Sequence, residues 1–449
     1  MGCVMAVPVY DGEFSEKEAS RLLWRAGFGP KPEEAGKLAE KGLAKAVNSL
    51  LSPPKAKLIG PEPQDDEGNF APYDLYGHDV MWWLDKMVRS NQPLVERMAI
   101  NWHDWFATGD VGSLKISIGQ AKMFRKRAFD SFDSLIERVT TDPAMLIWLS
   151  GIDNSKWNPN ENYGRELMEL FTLGASDPET EYPYSEDDVR EQARALTGWR
   201  ANWKEDVGYK NFRFDPEYHD NGTKTIFGQS GKFDWQDSCR LCLEHEAHAP
   251  YVVGKLWSYF IPTPPDAATR ADLESMYGSN YAIKPLLKAI LKHPVFYEGP
   301  SMVKPPIVQI AGMLRSRGKG ISADSWFWIS DMAGQRPFRP PNVSGWDEER
   351  WLDTSSWRGR WYAASYICRD DELDPDKYTR NETAEEAVDK ALHFWADPVI
   401  TASTRASLVA FGEAAEEVIT ADWHEKTFRG LRQNALRMMV PMSPEMQTC

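Results

Sequence analysis

The sequence predicts a mainly α-helical fold: a large multi-helix unit with a small β-hairpin insertion and long Pro- and Trp-rich loops. Two observations support this prediction. Helix-capping patterns followed by apolar residues at helical spacing recur along most of the 449 residues. Runs typical of β-strands are confined to one short stretch. The length allows two or three domains, but no internal repeat is visible.

Capping patterns mark several helix starts. Ser15 with Glu18, and Ser185 with Asp188, have the spacing of a capping box, in which two side chains satisfy backbone N–H groups at the start of a helix. A further helix is predicted over residues 93–108, because its apolar residues recur at helical spacing. Its apolar face is formed by Leu94, Met98, Trp102, Trp105 and Phe106.

Three segments interrupt this helical pattern, and a fourth resumes it at the C-terminal end. Residues 52–72 are polar and Pro-rich and predict a loop. Residues 199–235 contain the short runs FRF and KTIF around an Asn-Gly turn, which predicts a small β excursion. Residues 334–361 are rich in Pro, Gly and Trp and predict a long ordered loop. Residues 383–449 return to helical periodicity and predict C-terminal helices.

Composition limits the classes of function. The formal net charge is -15, with 67 acidic and 52 basic residues, which disfavours nucleic acid as a partner. Five cysteines are too few and too sparse for a disulfide framework. The sequence contains nineteen tryptophans, a number that is compatible with a surface on which sugar rings stack. No secretory signal is visible, and no apolar run is long enough to predict a membrane span.

The stretch NPNENYGRELMELFTLG, residues 158–174, carries the densest set of polar groups. Asn158 is a suitable N-cap, and helical spacing places Asn162, Glu166 and Glu169 along one side. Two carboxylates this close, if buried, raise the pKa of one of them or attract a cation. The stretch therefore predicts a proton donor or a hard-metal site, and the alternative is a solvated helix face.

The stretch HDNGTK predicts a second polar site on a turn. His219 has the chemistry of a general base or metal ligand, and Asp220 follows it directly as the group that would orient its ring. Lys224 lies close by in the chain. The alternative is that Asp220 and its neighbours only form the turn.

Two further patterns have structural alternatives. His103 lies among Trp102, Trp105 and Phe106, where a histidine is more often a hydrogen-bonded core residue than a ligand. The stretch CRLCLEHEAH has Cys and His residues at every third position, as a zinc site might suggest. On a continuous helix those side chains spread over half the circumference and cannot all reach one ion.

Several common enzyme signatures are absent from the sequence. It contains no Gly-rich phosphate loop, dinucleotide fingerprint, G-x-S-x-G elbow or H-E-x-x-H pair. Kinase, Rossmann, serine-hydrolase and zincin interpretations therefore have no support.

Seven segments, in order, resemble the bacterial family known as domain of unknown function 1800. They are RLLWRAGFGP, NWHDWF, NENYGRELMELFTLG, YSEDDVREQARALTGW, HDNGTKTIFG, HAPYVVGKLWSYF and GQRPFRPPNVSGW. The resemblance implies one helical unit over residues 1–449. Members of the family are often exported, and their genes often lie beside a sulfatase-like partner. This implies work on envelope or extracellular polysaccharide and a sulfatase-like protein as partner.

The leading hypothesis is a hydrolase or lyase that acts on a carbohydrate. Its expected catalytic residues are Glu166, Glu169, His103, His219 and Asp220. Its expected substrate-binding residues are Asn162, Arg165, Arg194, Lys224 and Trp346. A divalent metal is an alternative to direct acid–base work by the carboxylates. The rival hypothesis is a non-catalytic envelope scaffold, in which the same polar residues form a buried structural network.

Overall fold

The computed structural model describes residues 7–175, 183–278, 280–378, 381–419, 421 and 424–449. Within these residues the fold is mainly α-helical, with two small antiparallel hairpins, so the predicted fold class is confirmed. The described chain divides into two compact units. Whether both belong to the single functional unit implied by the family resemblance stays a prediction.

Unit 1 comprises Met1–Asp11, Met98–Gly299 and Phe338–Trp346. Its helices are Leu114–Lys126, Phe132–Thr140, Pro143–Trp148, Gly151–Asp153, Asn162–Glu166, Leu167–Thr172, Glu186–Ala195, Trp235–Glu244, His248–Ser258, Ala267–Gly278, Ile283–Ile290 and Pro294–Glu298. The helix Pro93–Trp105 spans the boundary at residue 98.

Unit 2 comprises Gly12–Arg97, Pro300–Pro337 and Asp347–Cys449. Its helices are Glu16–Arg25, Glu34–Ala39, Leu43–Leu51, His78–Arg89, Pro306–Ser316, Ser325–Met332, Glu348–Leu352, Thr354–Arg369, Pro375–Lys377, Ala384–Phe394, Ala402–Glu417, Glu425–Met439, Val440–Met442 and Pro444–Gln447. The helix Thr354–Arg369 begins inside residues 334–361, which the composition predicts as loop.

Both predicted capping boxes are present. The Ser15 side chain and Glu18 satisfy each other's backbone N–H groups at the start of Glu16–Arg25. Ser185 and Asp188 do the same for Glu186–Ala195. These starts are predictable because the chemistry lies within four consecutive residues.

The β excursion consists of two separate hairpins. Strand β1 (Trp199–Lys204) pairs with β2 (Gly208–Phe214), and β3 (Lys224–Ile226) pairs with β4 (Gln229–Gly231). The predicted Asn-Gly turn therefore does not close a hairpin. It lies in the connection between β2 and β3, where it is held by side chains described below.

The helix of the stretch 158–174 begins later than predicted and changes its winding. It starts at Asn162, and the residue before it, Glu161, makes no side-chain cap. From Leu167 to Thr172 it is a π-helix. The chain leaves it at Gly174, whose φ is +90°. The prediction of an α-helix capped by Asn158 is therefore wrong at its start and in its second half.

An aromatic cluster forms the core of unit 1 around this π-helix. Phe171 packs on Phe106 at a centroid distance of 5.2 Å, and Trp105 packs on Phe132 at 5.6 Å. All four rings are at most 1% exposed. One side of the π-helix is thus fixed by burial of large apolar surface.

None of the described helices combines the length and the hydropathy that a membrane span requires.

Candidate functional site

The π-helix Leu167–Thr172 is held by hydrogen bonds of wider spacing than those of an α-helix. The N–H of Leu173 donates to the carbonyl of Met168 at 2.8 Å, five residues back. The Thr172 hydroxyl donates to the Leu167 carbonyl at 2.5 Å. Such π segments are rare and occur frequently at functional sites. The wider turn redirects the last carbonyls of the helix toward side chains of other elements.

The carbonyl of Leu170 accepts from two side chains of the helix His248–Ser258. The Tyr251 hydroxyl donates to it at 2.5 Å, and the Lys255 ammonium donates at 3.1 Å. The two donors are one helical turn apart, and the Lys255 ammonium lies 3.3 Å from the Tyr251 hydroxyl. A cation at the C-terminal end of a helix also complements the helix dipole.

The next two carbonyls are satisfied in the same way. The Trp105 indole N–H donates to the Phe171 carbonyl at 3.2 Å. Nδ1 of His248 lies 3.0 Å from the Thr172 carbonyl. Three successive C-terminal carbonyls are therefore bonded to side chains, which satisfies groups that a helix end leaves without a backbone partner.

Lys255 has an unusual electrostatic environment. Its ammonium lies 4.9 Å from the centre of the Trp105 ring. Burial lowers the pKa of Lys255 to about 8, and the charge of Asp104 opposes this shift. Asp104 is fixed in turn by the Tyr259 hydroxyl at 2.7 Å and the Trp346 backbone N–H at 2.8 Å. A large fraction of neutral amine is thus present slightly above neutral pH.

Glu169 lies near enough to Tyr251 for its charge to act on the phenol, and Glu166 is coupled to Glu169 in the same way. Burial, followed by the charge of Glu169, raises the pKa of Glu166, and Arg165 opposes the shift. Burial is also the main cause that raises the pKa of Tyr251, and the charges of Tyr184 and Glu169 add to it. Both glutamates are partly exposed.

We define the π-helix site as Asp104, Glu166, Glu169, Tyr251 and Lys255. All five residues belong to unit 1. The pKa of the Glu166 carboxyl group is raised, so this group keeps its proton to higher pH. The pKa of the Lys255 ammonium is lowered, so it releases its proton more easily, and Glu169 supplies a second carboxylate. Proton donors and acceptors of this kind support general acid–base chemistry.

A metal site is not evident in the part of the chain that the structure describes. There, no group of three or more His, Cys, Asp and Glu side chains is arranged to hold an ion. The Glu166–Glu169 pair therefore supplies at most two protein ligands in this arrangement.

His103 lies in the aromatic core of unit 1. Its Nε2 accepts a hydrogen bond from the Phe338 backbone N–H at 3.1 Å, and its ring packs on Trp346 at a centroid distance of 5.4 Å. Burial, with a smaller contribution from Arg339, lowers the pKa of His103 to about 3. Its imidazole is thus neutral near pH 7, which fits the structural alternative described for this residue.

His219 is oriented by Thr197 rather than by Asp220. Its Nδ1 lies 3.0 Å from the Thr197 carbonyl and 3.2 Å from the Thr197 hydroxyl. The predicted His–Asp pair is therefore not formed, because the Asp220 carboxylate is directed at Arg194, as follows.

The turn network consists of Glu191, Arg194, Thr197, Asp220 and Lys224. Arg194 Nε donates to Asp220 at 2.8 Å, and Arg194 Nη1 donates to both Glu191 oxygens at 2.9 Å. The Asp220 backbone N–H donates to the Thr197 hydroxyl at 2.9 Å. The Lys224 ammonium donates to two carbonyls of its own turn, those of Asp220 and Gly222. The charged side chains of Glu191, Arg194, Asp220 and Lys224 thus hold the turn in place.

The remaining expected substrate-binding residues have different surroundings. Arg165 forms ion pairs with Glu161 at 3.2 Å and Glu186 at 2.8 Å. Asn162 is exposed at the start of its helix. Trp346 is only 8% exposed and packs on His103, so its ring is not an open stacking surface.

The Cys and His residues of CRLCLEHEAH make separate contacts. The Cys239 thiol lies 3.2 Å from the Thr140 hydroxyl, and the Cys242 sulfur accepts from Gln192 at 3.3 Å. Burial raises the pKa of Cys239 to about 12, and it also raises the pKa of Cys242. His248 bonds to Thr172, as described above. The contacts are those of buried structural residues.

Sequence reasoning missed three members of the π-helix site: Asp104, Tyr251 and Lys255. The spacing of Tyr251 and Lys255 in HAPYVVGKLWSYF, one helical turn apart, was the available signal. The π-helix whose Leu170 carbonyl binds Tyr251 and Lys255 had no sequence signature, because it depends on donors supplied by other helices.

Comparison with known proteins identifies the family but no characterised relative. No curated protein and no solved structure matches the chain. Residues 21–448 match the family described as Protein of unknown function (DUF1800). The match covers nearly the entire chain, and we conclude that the protein belongs to this family.

Proposed function

We propose that this protein is a hydrolase or lyase that acts on a carbohydrate through acid–base chemistry at the π-helix site. The observation that carries the proposal is the pairing of Glu166 with Glu169, whose charge also acts on Tyr251, the hydrogen-bonded neighbour of Lys255. Burial and Glu169 raise the pKa of Glu166, whereas burial lowers that of Lys255 to about 8. Groups whose environments shift their pKa values toward neutrality are suited to exchange protons with a substrate.

In this proposal Glu166 is the proton donor. Its carboxyl group would protonate the leaving oxygen of a glycosidic bond, and the Glu169 carboxylate would activate water or stabilise positive charge. In a lyase, the neutral amine of Lys255 would instead remove a proton from a sugar carbon. Asp104 and the Leu170 carbonyl hold that amine in position.

The carbohydrate class is supported by exposed aromatic rings in unit 1. Trp157 is 64% exposed and lies directly before the stretch that carries Glu166 and Glu169. Its ring is fixed by Tyr218, at a centroid distance of 5.4 Å, and by the Lys156 ammonium at 4.5 Å. Flat, rigid indole faces are typical surfaces for the apolar faces of sugars.

The test uses purified full-length protein and a panel of neutral, uronic and sulfated polysaccharides. Release of reducing ends measures hydrolysis, and ultraviolet absorbance of an unsaturated product measures elimination. The variants Glu166→Gln and Glu169→Gln should each lower turnover by ~100-fold or more. Glu161→Gln is the matched control, because Glu161 directly precedes the same helix and its carboxylate forms an ion pair with the partly exposed Arg165.

Two results would count against the proposal. One is full turnover by the double variant Glu166→Gln with Glu169→Gln, when circular dichroism shows that it is folded. The other is absence of turnover by the wild-type protein across the panel, together with unaltered ligand binding in that variant.

A non-catalytic envelope scaffold is the second candidate, and the turn network supports it. Glu191, Arg194, Asp220 and Lys224 are bonded to one another or to the backbone, as expected for a network that fixes helices and turns. A sulfatase-like protein is the expected partner. Co-purification of that partner with the double Gln variant as well as with wild type, without turnover by either, would favour this candidate.

A further inference from the structure

Unit 2 contains a cavity of about 510 Å³. This volume lies within the range of roughly 300–1,000 Å³ that is typical of small-molecule sites. The cavity is lined by the helix Glu16–Arg25, by residues 395–401 and by the C-terminal residues of the chain, among others. No residue of the π-helix site lines it, so the proposed function does not account for it.

Trp24 forms a flat wall of the cavity and is held in place by two glycines and a lysine. A Cβ atom at Gly29 would lie 2.7 Å from Trp24 Cζ2, and one at Gly312 would lie 2.2 Å from Trp24 Cη2. The Lys304 ammonium lies 3.8 Å from the centre of the indole ring. The ring can occupy this position only because both neighbours lack side chains. It is partly exposed, so it offers apolar surface to a ligand.

Two lysines, Lys31 and Lys304, also line the cavity. The Lys304 side chain is 1% exposed and its ammonium donates to the Glu445 carbonyl at 3.0 Å. Lys31 is partly buried, and within the described residues its ammonium forms no hydrogen bond or ion pair, although the charge of Glu34 raises its pKa and that of Arg315 lowers it. Burial is the main cause that lowers the pKa of both amines, to about 7 for Lys304. An anion bound beside them would offset this desolvation.

The acidic residues of the lining are already engaged or balanced. Glu33 pairs with Lys37 at 2.7 Å, and Asp397 bonds to His393 Nδ1 at 3.0 Å. Glu445 accepts from the Thr401 backbone N–H at 3.0 Å. Glu16 is exposed at the rim beside the exposed Lys17. Acidic and basic side chains are equal in number in the lining, so the positive group that remains for a ligand is the Lys31 ammonium rather than a net charge of the cavity.

Residues 395–401 form another wall of the cavity. Two consecutive residues in this wall have a left-handed backbone conformation. Ala396 has a φ of 63° and Asp397 a φ of 53°. A left-handed conformation is unfavourable in a residue other than glycine, and such strain often occurs at ligand clamps. The backbone N–H of Asp397 donates to the Leu392 carbonyl at 3.0 Å, and this bond helps to hold the conformation.

We propose that this cavity binds a small amphipathic carboxylate. Its apolar body would lie against Trp24 and Ile400, and its carboxylate would bind near Lys31 and Lys304. The apolar wall accounts for the body of the ligand, and the unpaired Lys31 accounts for its negative charge.

The test measures displacement of anilinonaphthalene sulfonate, an aromatic anion, by decanoate, decanol and decylamine. Decanoate should bind wild type about tenfold more tightly than decanol does, a difference of about 1.4 kcal/mol, because its carboxylate forms a charge-assisted contact that the alcohol cannot form. Lys31→Gln should weaken decanoate about tenfold and leave decanol unchanged, and Lys31→Glu should weaken it further. Ile400→Trp should fill the cavity and abolish binding of both.

The exposed residue Lys45, which does not line the cavity, supplies the control Lys45→Gln, which should bind decanoate as wild type does. Circular dichroism confirms that each variant is folded, and the two Lys31 variants decide the test if Ile400→Trp is not folded. Equal affinity of decanoate for wild type and both Lys31 variants would overturn the proposal. Equal affinity for decanoate and decylamine in wild type would also overturn it.

Discussion

The turn network and the π-helix site use the same types of residue but leave different groups for a ligand. In the turn network, Arg194 is bonded to Asp220 and Glu191, and Lys224 is bonded to backbone carbonyls. In the π-helix site, Lys255 and Tyr251 are also bonded to a carbonyl, but the adjacent Glu166 and Glu169 stay partly exposed.

The difference shows that residue type alone does not separate a structural network from a reactive site. Burial by itself would raise the pKa of Asp220, but hydrogen bonds from Arg194 and from the Gly222 backbone N–H outweigh it and lower that pKa. A carboxylate that is partly buried beside another carboxylate, as Glu166 is, has its pKa raised. The partner therefore decides whether the group holds the fold or retains an exchangeable proton.

The largest expected effect on stability is that of Arg194→Met. The change leaves Asp220 and Glu191 without their cation and should lower the free energy of unfolding by roughly 2 kcal/mol. Urea denaturation measures it. Arg190→Met, on the same helix, removes an exposed ion pair with Asp187 and is the control, with an expected loss below about 0.5 kcal/mol. Equal losses in the two variants would contradict the structural role of the turn network.

Lys255→Met should change the pH dependence of stability. Because the folded pKa of Lys255 is about 8, below its ordinary value of 10.5, the unfolded chain binds more protons between these values. Wild-type stability should therefore gain a contribution as pH rises from 8 to 10.5, and lose it as pH falls. Thermal unfolding at several pH values should show that this contribution is missing in Lys255→Met. It should be present in the control Lys232→Met, which changes an exposed lysine outside the π-helix site.

Thr197→Val should have a smaller effect of about 1 kcal/mol. Valine keeps the shape of this fully buried side chain but leaves the Asp220 backbone N–H without its acceptor. Denaturant titration measures the loss. A stability equal to that of wild type would mean that the turn network does not depend on this hydrogen bond.

The smallest expected effect is that of Glu166→Gln, and its sign is opposite. The folded pKa of Glu166 is raised above its ordinary value of 4.5, so the native protein loses stability as pH rises past that value. Glutamine does not ionise, so the variant should be slightly more stable than wild type at neutral pH and equal to it in acid. A variant that is less stable at neutral pH would show that the Glu166 charge supports the fold.

The helical fold class and many helix starts could be predicted because their chemistry is local. Ser15 with Glu18, and Ser185 with Asp188, contain the complete cap within a few residues. The position of the β excursion was also visible. Its division into two hairpins was not, because the Asn-Gly turn is held by Arg194 and Lys224 rather than by strand pairing.

The candidate site could be predicted only in part. Glu166 and Glu169 were visible as two carboxylates one turn apart. The other residues of the site, Tyr251 and Lys255, bond to the Leu170 carbonyl from about eighty residues further along the chain, and contacts at that separation leave no periodic signal. The burial of His103 and Trp346 against each other is likewise a tertiary contact. Catalytic roles for Glu166, Glu169 and His219 stay predictions.

The π-helix Leu167–Thr172 also has a consequence for the length of the chain. A π-turn contains about one residue more than the α-turn it replaces, so this helix accommodates an extra residue without lengthening its axis in proportion. Deleting one residue between Leu167 and Thr172 would restore regular winding and preserve nearly the whole composition. The chain beyond the deletion would keep nearly its orientation relative to Glu166, but the wider turn that directs the carbonyls of Leu170, Phe171 and Thr172 to side chains of other elements would be lost. The number of residues between Leu167 and Thr172 is thus as important to this site as the identity of their side chains.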